Sequence, residues 1–298
     1  MLFPVSGVEV NPFIPFLVAL FVSFFTSMGG VSGAFLLLPF QVSFLGYTTP
    51  SVSATNQVFN IIAIPSGIYR YIKEGRMLWP LSKYIIIGTL PGVFIGAWVR
   101  IEYLPDPKHF KFFVSFILLY IGFRLFLDVI KKSKNAISKV TSIKEDSQKV
   151  TIVKSSFREV QFKYSEEVFS FMPFHILILC FFVGIAGGIY GIGGGSIIAP
   201  FLVTIFALPV FTIAGAALTA TFATSIAGVL FFHILAFCYP STNVSPDWML
   251  GCLFGLGGLI GMYLGARTQH FVPARVIKGI LCFCTLFVAG KYFLDFFG

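Results

Sequence analysis

Ten apolar segments, interrupted by short stretches rich in glycine, proline or charge, constrain the fold of this chain more than any other feature. Only 11% of its 298 residues are charged, whereas an ordinary soluble domain carries about a quarter charged residues. So few charges cannot cover a water-facing surface, and most of the surface must therefore face lipid. The 38 phenylalanines and 29 glycines agree with this environment. The sequence predicts an all-α, multi-pass protein of the cell (plasma or inner) membrane.

The lengths of these segments indicate which of them can cross a bilayer. A membrane-spanning helix needs about 20 residues, so residues 33–45 and 196–208 are too short to cross alone. Each of these two short segments directly follows a glycine-rich stretch. The predicted segments are 11–28, 33–45, 51–71, 79–99, 109–130, 171–190, 196–208, 211–239, 248–266 and 276–297.

The two halves of the chain repeat one pattern. The hexapeptide FLLLPF at residues 35–40 corresponds to SIIAPF at residues 196–201, an offset of 161 positions. Further along, the Gly-x-x-x-Gly motif that begins at Gly92 corresponds to the one that begins at Gly261, an offset of 169. An ordered series of matches that includes both glycine-rich stretches favours an internal duplication. We predict a first transmembrane repeat, a linker and a second transmembrane repeat over residues 1–130, 131–170 and 171–298.

The basic residues indicate the orientation in the membrane. No lysine or arginine precedes Arg70, and the linker holds nine of the 21 basic residues beside five acidic ones. Because such an excess holds a loop in the cytoplasm, we predict a solvated, cytoplasmic linker, which could contain some helix. The loops 46–50 and 240–246 have no basic residue and are predicted to lie outside, with both termini. Each half then has five segments, so the second half is inverted relative to the first, a plan found in secondary transporters.

Several functional classes find no support in the composition. The net charge of +9 reflects membrane orientation rather than a nucleic-acid partner. The five cysteines lie in apolar stretches without a CxxC pair, so no disulfide framework, metal site or other cofactor is predicted. The four histidines form neither an HExxH motif nor a cluster, and an enzyme is not predicted. No acidic residue lies near the middle of a predicted span, which disfavours a cation carrier.

The glycine-rich stretch in each half is the strongest candidate for a binding site. A broken backbone survives at membrane depth only where protein or a water-filled cavity surrounds it. Each break precedes a short helix, whose first N–H groups and dipole attract anions, and an inverted repeat can bring two such helix starts together near the midplane. Close packing of small residues is the alternative. The candidate substrate-binding residues of the breaks are Gly29, Gly30, Ser32 and Gly33, and Gly191, Gly193, Gly194, Gly195 and Ser196.

A polar stripe follows each short segment. Asn56 and Asn60 share one helical face with Ser53 and Gly67, and Thr221 and Thr224 share the corresponding face of the second half with Gly228. Neutral donors suit an anion that must be bound and then released, so Asn56, Asn60, Thr221 and Thr224 complete the predicted site. Hydrogen bonding between helices is the alternative.

The two breaks followed by Pro39 and Pro200, the polar helix after each, and the small-residue stretches that end at Gly96-Ala97 and Gly265-Ala266 resemble the TauE/SafE sulfite exporter family of membrane permeases. The resemblance covers nearly the whole chain outside the linker and the first ten residues. It implies secondary transport of sulfite, or of a related sulfur-containing or organic anion, by alternating access at a midplane site. An anion channel and a non-transporting membrane receptor or scaffold are the alternatives. The expected partners are a small anionic substrate, the lipid bilayer and a coupling ion, proton or sodium. The substrate, its direction, the coupling ion and the oligomeric state stay open.

Overall fold

The computed structural model describes residues 1–28, 31–130, 150–164, 167–240, 242–268 and 274–297. The described part of the chain forms ten helices and three strands. In order they are α1 (Phe13–Met28), α2 (Ala34–Ser43), α3 (Ser51–Lys73), α4 (Trp79–Glu102), α5 (Pro107–Ile130), β1 (Thr151–Ser155), β2 (Val160–Tyr164), β3 (Glu167–Phe171), α6 (Pro173–Tyr190), α7 (Gly194–Ile205), α8 (Val210–Cys238), α9 (Trp248–Thr268) and α10 (Ala274–Phe297). The all-α, multi-pass prediction is confirmed, with one helix for each apolar segment.

The ten helices differ in length, and α1, with 16 residues, is shorter than the roughly 20 residues that a span needs. Among the described residues, α4, α5, α6, α8, α9 and α10 are long and apolar enough to cross a membrane. Helices α2 and α7 have only ten and twelve residues, which agrees with the prediction that they are too short to span. Helix α3 has 23 residues, a length that could cross, but its first half is polar.

Helix α3 lies at the centre of the protein because its polar side chains cannot face lipid. All ten residues from Ser51 to Asn60 are buried, although a helix at a surface usually buries one stripe only. Helices α2, α8 and α9 pack against it. The enclosed polar residues of α3 are Ser51, Ser53, Thr55, Asn56, Gln57 and Asn60.

Glycines allow the surrounding helices to pack with their backbones in contact. A Cβ placed on Gly92 of α4 would overlap the carbonyl oxygen of Phe181 in α6, and a Cβ on Gly261 of α9 would overlap that of Leu20 in α1. Such contacts explain the two Gly-x-x-x-Gly motifs, because small residues let membrane helices pack closely.

The sequence offsets between the two halves of the chain relate the Gly92–Phe181 contact to the Gly261–Leu20 contact. The offset of 169 relates Gly92 to Gly261, and the offset of 161 relates Leu20 to Phe181. The same two offsets relate the contact of Gly96 with the Ile185 carbonyl to that of Gly265 with the Phe24 carbonyl, and the residue numbers rise together along both partners. Helix α4 therefore runs parallel to α6, and α9 runs parallel to α1.

The described part of the linker forms strands rather than the helix that the sequence allowed. Strands β1, β2 and β3 make an antiparallel sheet in that order. Val160 and Phe162 of β2 are buried and the intervening Gln161 is not, which is the two-residue alternation of a strand. The Val150 N–H donates to the Gly75 carbonyl at 3.1 Å, so the sheet begins at the α3–α4 loop. We call this side of the protein the sheet face.

The opposite ends of the helices meet at a second face, which we call the N-terminal face. It is formed by residues 1–10, the loops 44–50 and 103–106, and residues 239–240 and 242–247. Hydrogen bonds join these parts: the Ser6 hydroxyl donates to Asp247 at 2.8 Å, and the Tyr239 hydroxyl donates to Glu102 at 2.7 Å. Burial is the main cause that raises the pKa of Tyr47 in this face above its usual range. The loops that the sequence predicts to lie outside therefore share one side with the N-terminus.

The backbone contact at Gly92 generates a stability prediction. Gly92→Ala should lower the midpoint of thermal denaturation of the detergent-solubilised protein, because the methyl group overlaps the Phe181 carbonyl and overpacking costs about 1–3 kcal/mol. Gly261→Ala should lower it similarly. The matched control is Gly290→Ala in α10, where an added Cβ meets nothing within 4 Å. Equal midpoints for all three variants would contradict the close packing.

Candidate functional site

The second break has a backbone conformation that depends on glycine. Helix α6 ends at Tyr190, Gly191 adopts φ +81° and Gly193 adopts φ +75° before α7 begins. Both values lie in the left-handed region, which costs glycine little. A Cβ at Gly191 would also overlap the backbone of Ser53 in α3. The break therefore lies directly against the polar helix, as the sequence predicts.

In the first break Gly29 and Gly30 lie outside the described residues, while Ser32 and Gly33 are described. The Ser32 hydroxyl oxygen accepts the Ala34 N–H at 3.3 Å. Gly33 precedes α2, and a Cβ placed there would lie 2.9 Å from the Ser23 hydroxyl oxygen. This break therefore carries a side-chain hydroxyl on each side of the helix start.

Asn56 joins the start of α2 to the second break. Its side-chain nitrogen donates to the Ala34 carbonyl at 3.0 Å and to the Gly191 carbonyl at 3.1 Å. Its side-chain oxygen accepts from Gln41 of α2 at 3.3 Å. One fully buried amide thus contacts both halves of the chain.

Asn60, one helical turn further along α3, makes a second connection. Its nitrogen donates to the Ile192 carbonyl at 3.1 Å and to the Ser225 hydroxyl at 3.2 Å. Its oxygen accepts from the Ser32 hydroxyl at 2.6 Å. The two asparagines therefore bring the breaks together, and all four of their N–H bonds have acceptors within the protein.

Thr221 of α8 lies against Gly193 and Gly195 of the second break, whereas the Thr224 hydroxyl donates to carbonyls of its own helix. Each hydroxyl donates to a carbonyl of its own helix, at 2.8 Å to Ala217 and at 2.7 Å to Ala220. The Ser196 and Thr221 hydroxyl oxygens are 3.2 Å apart. A Cβ at Gly195 would overlap the Ala217 carbonyl oxygen, so α7 begins in close contact with α8. Gly194 instead faces Thr89 of α4.

The two short helices begin differently. The first N–H group of α2, that of Ala34, donates to the Ser32 hydroxyl oxygen, whereas α7 follows Gly193, which has no side chain that could cap it. The first N–H groups of an α-helix lack acceptors within the helix, and its N-terminus carries roughly half a positive charge. The asparagine contacts place both helix starts beside the buried polar half of α3. This arrangement can stabilise a small anion without a charged side chain.

Comparison with known proteins identifies the family of this chain. The family model for the sulfite exporter TauE/SafE matches residues 15–292. The chain belongs to the TauE/SafE family. A probable membrane transporter protein of Haemophilus influenzae is 27% identical over 128 residues, 42% of this chain and 45% of that protein. The probable membrane transporter protein YunE of Bacillus subtilis is 24% identical over 264 residues, 86% of this chain and 87% of that protein. No solved structure matches.

Membership of the TauE/SafE family settles the broad class of the protein. Members and relatives are membrane transporters, and six described helices can span a bilayer. This chain is therefore a multi-pass membrane transporter and not an enzyme, which confirms the resemblance, the class and the membrane location predicted from the sequence.

Gln57 of α3 lies in the same buried polar region, although the sequence did not predict it as a candidate site residue. Within the described residues, neither its side-chain nitrogen nor its oxygen has a hydrogen-bond partner, although both are buried. The side chain lies against Gly228 of α8, where a Cβ would overlap it. A buried unsatisfied polar group costs about 1–3 kcal/mol, so this amide is retained at a cost to stability. Its polar side chain directly after Asn56 could have indicated a role. Helical spacing, however, places Gln57 beside the face that carries Asn56 and Asn60 rather than on it.

The different hydrogen bonding of Gln57 and Asn60 generates a stability prediction. Asn60→Leu should lower the midpoint of thermal denaturation, because it leaves buried partners unsatisfied at about 1–3 kcal/mol each. Gln57→Met keeps the unbranched shape and should leave the midpoint unchanged or raise it, because no hydrogen bond is lost. Gln161→Met in the sheet is the matched control. A Gln57→Met midpoint as low as that of Asn60→Leu would show that the Gln57 amide has a partner within the protein.

Proposed function

We propose that this protein carries a small oxyanion, sulfite or a related sulfur-containing or organic anion, across the membrane by alternating access at a site between the two breaks. The observation that carries the proposal is Asn56, which donates to the start of α2 and to the second break at once. Through this contact the starts of the two short helices share one buried polar region. Two positive helix ends facing one enclosed polar region favour an anion.

The proposed site consists of the two breaks and the polar stripes. Backbone N–H groups of the breaks bind the oxyanion, and four side chains complete its surroundings. The proposed substrate-binding residues are Gly29, Gly30, Ser32, Gly33, Asn56, Asn60, Gly191, Gly193, Gly194, Gly195, Ser196, Thr221 and Thr224. To these we add Gln57, whose amide nitrogen can donate to the anion without giving up a bond in the described part of the chain.

The engaged asparagines have a physical route to the substrate. Asn56 and Asn60 donate to neutral carbonyls, and a neutral hydrogen bond contributes about 0.5–1.5 kcal/mol. A hydrogen bond to an ionised acceptor is roughly twice as strong. An oxyanion in the site can therefore replace the Gly191 and Ile192 carbonyls as acceptor, and this exchange frees the second break to move. Binding and motion are coupled because the same N–H groups serve both.

Inverted repeats give the proposed mechanism its two alternating states. We infer that residues 1–130 and 171–298 are two inverted repeats joined by the linker 131–170. Three features support this inference: the related glycine contacts, the parallel packing of α4 with α6 and of α1 with α9, and the antiparallel crossing of α3 and α8. At that crossing Gln57 lies against Gly228 and Leu218 lies against Gly67, and the offset of 161 exchanges these two contacts.

The proposed function is tested by sulfite and sulfate flux into proteoliposomes that contain the full-length protein, over a range of anion concentrations. We expect saturable sulfite flux, because a carrier must bind each anion and change state. Flux should respond to a pH gradient if protons are coupled, or to a sodium gradient if sodium is coupled. Flux that rises without saturation would indicate the alternative, an anion channel. Absence of flux for these and for organic anions would support a receptor or scaffold.

Variants of the proposed site residues test whether sulfite flux depends on the two breaks. Gln57→Met should raise the KM for sulfite about tenfold, the loss expected when one charge-assisted hydrogen bond of about 1.5 kcal/mol is removed. Gly194→Leu should abolish transport, because its side chain fills the space between α7 and Thr89. The control Gln161→Met changes the same side chain outside the membrane-spanning helices and should keep wild-type kinetics. Unchanged kinetics in both Gln57→Met and Gly194→Leu would show that the breaks do not take part in transport.

The proposed orientation has its own test. Single cysteines replace Asn243 in the N-terminal face and Lys154 in the sheet face, in a background from which the five native cysteines are removed. A membrane-impermeant thiol reagent applied to intact cells should label position 243 and should label position 154 only after permeabilisation, because basic loops stay in the cytoplasm. The reverse pattern would invert the orientation, and labelling of both positions in intact cells would contradict two separate faces.

A further inference from the structure

Arg100 carries a buried positive charge that the transport mechanism described so far does not use. It lies in the last turn of α4, at the N-terminal face, and it is the largest of the fully buried side chains. Arginine is almost never fully buried unless a partner compensates its charge. The surroundings of this guanidinium therefore indicate what compensates it.

Neutral groups alone hold the Arg100 guanidinium within the described chain. Nη1 donates to the Leu104 carbonyl, and Nη2 donates to the Thr48 carbonyl at 3.0 Å. The Phe110 ring lies under the guanidinium, with 3.8 Å between Cζ and the ring centroid. Carbonyls and an aromatic face orient the group, but they leave its charge unneutralised.

Three carboxylates at the N-terminal face contact other residues, and a fourth, that of Glu9, belongs to an exposed residue. Glu102 accepts from the Tyr239 hydroxyl, Asp106 pairs with His109 at 2.9 Å, and Asp247 accepts from Ser6. None of the ion pairs among the described residues includes Arg100. Burying an ion without a counter-charge costs several kcal/mol, so an anion from outside the chain would be strongly favoured there.

Two donors in this region point to where such an anion binds. The Nε of Arg100 is buried and has no partner within the described chain, and the same is true of the Thr49 hydroxyl oxygen. Thr49 follows Thr48, whose carbonyl accepts from Arg100. Helix α3 begins at Ser51, two residues later, and its N-terminus adds positive potential.

We propose that Arg100 Nε and the Thr49 hydroxyl form a second anion site, at the N-terminal face, which captures the oxyanion before it reaches the two breaks. The proposal rests on the anionic substrate proposed above. At 1.5 Å per residue along α3, Thr49 lies roughly 10 Å from Asn56, so the two sites are separate steps on one path. The charged site would bind the anion from solution, and the neutral central site would release it more readily because it holds no opposite charge.

Binding to the detergent-purified full-length protein tests this site, with sulfite and sulfate as probes and the ionic strength held constant with gluconate. The readout is the anion-dependent rise in the thermal denaturation midpoint, fitted to an apparent Kd. Arg100→Gln should weaken sulfite binding at least tenfold, and Thr49→Val should weaken it about threefold to tenfold, since hydrogen bonds to ions are worth about 1.5–3 kcal/mol. Arg100→Lys keeps the charge and should bind more tightly than Arg100→Gln.

Two controls separate this proposal from a structural role and from failure of the transport proposal. Lys108→Gln removes a positive charge from an exposed position on the same face and should change the Kd by less than about twofold. The Gln57→Met protein, impaired at the central site, should keep the Arg100-dependent binding. If sulfite transport is absent but Arg100-dependent binding is present, the anion site at Arg100 is supported and the proposed transport function is not. If Arg100→Gln lowers only the midpoint without anion and keeps the wild-type Kd, or if the wild type binds neither probe, the proposal is overturned.

Discussion

A broken backbone inside a membrane protein must find its hydrogen bonds within the protein, and the rest of this structure follows from that requirement. The carbonyls of Gly191 and Ile192 accept from Asn56 and Asn60 of α3. A helix that carries such amides cannot face lipid, so α3 is enclosed along its first ten residues. The apolar helices around it then supply the lipid-facing surface. The asparagines that donate to the carbonyls of the break thus determine which helix is central and which helices are peripheral.

Enclosing a polar helix also requires close packing around it. Glycines let α4 approach α6, and α9 approach α1, until a Cβ would overlap a carbonyl oxygen. In a membrane this packing stabilises helix pairs through van der Waals contact, because lipid provides no hydrophobic drive between them. Gly92 and Gly261 therefore serve a different purpose from the glycines of the breaks. The first group brings helices together, whereas Gly191 and Gly193 provide left-handed backbone conformations at the end of a helix.

The sequence predicts the helices better than the roles of individual side chains, for a physical reason. Apolar length and glycine or proline punctuation determine where a membrane helix begins and ends, so each of the ten segments corresponds to one helix. Helical spacing assigns a residue to a face but not to a partner. It therefore identified Asn56 and Asn60 without indicating that their N–H groups are already engaged, and it left Gln57 on the flank. The burial of Arg100 could not be predicted from helical spacing, because it depends on loops 44–50 and 103–106, whose carbonyls accept from the guanidinium. The sheet was missed because its alternation is short and lies in a polar linker.

Several glycine contacts of the two halves correspond, but the polar side chains near them differ. At the crossing of α3 and α8 the offset of 161 relates Gln57 to Leu218 and Asn60 to Thr221, so the first half supplies the amides. The second half supplies space, since Gly228 accommodates the Gln57 side chain and Gly195 lets α7 begin against α8. A transporter with chemically equal halves would have two states of equal energy without a substrate. In this chain the asparagines of one half donate to the break of the other. In the proposed cycle, an exchange of the two halves would put the Thr221 hydroxyl in place of the Asn60 amide and Ala217 in place of Asn56, so amide hydrogen bonds would be lost. The proposed carrier would therefore favour one state at rest, and an anion that replaced the carbonyl acceptors would reduce that preference.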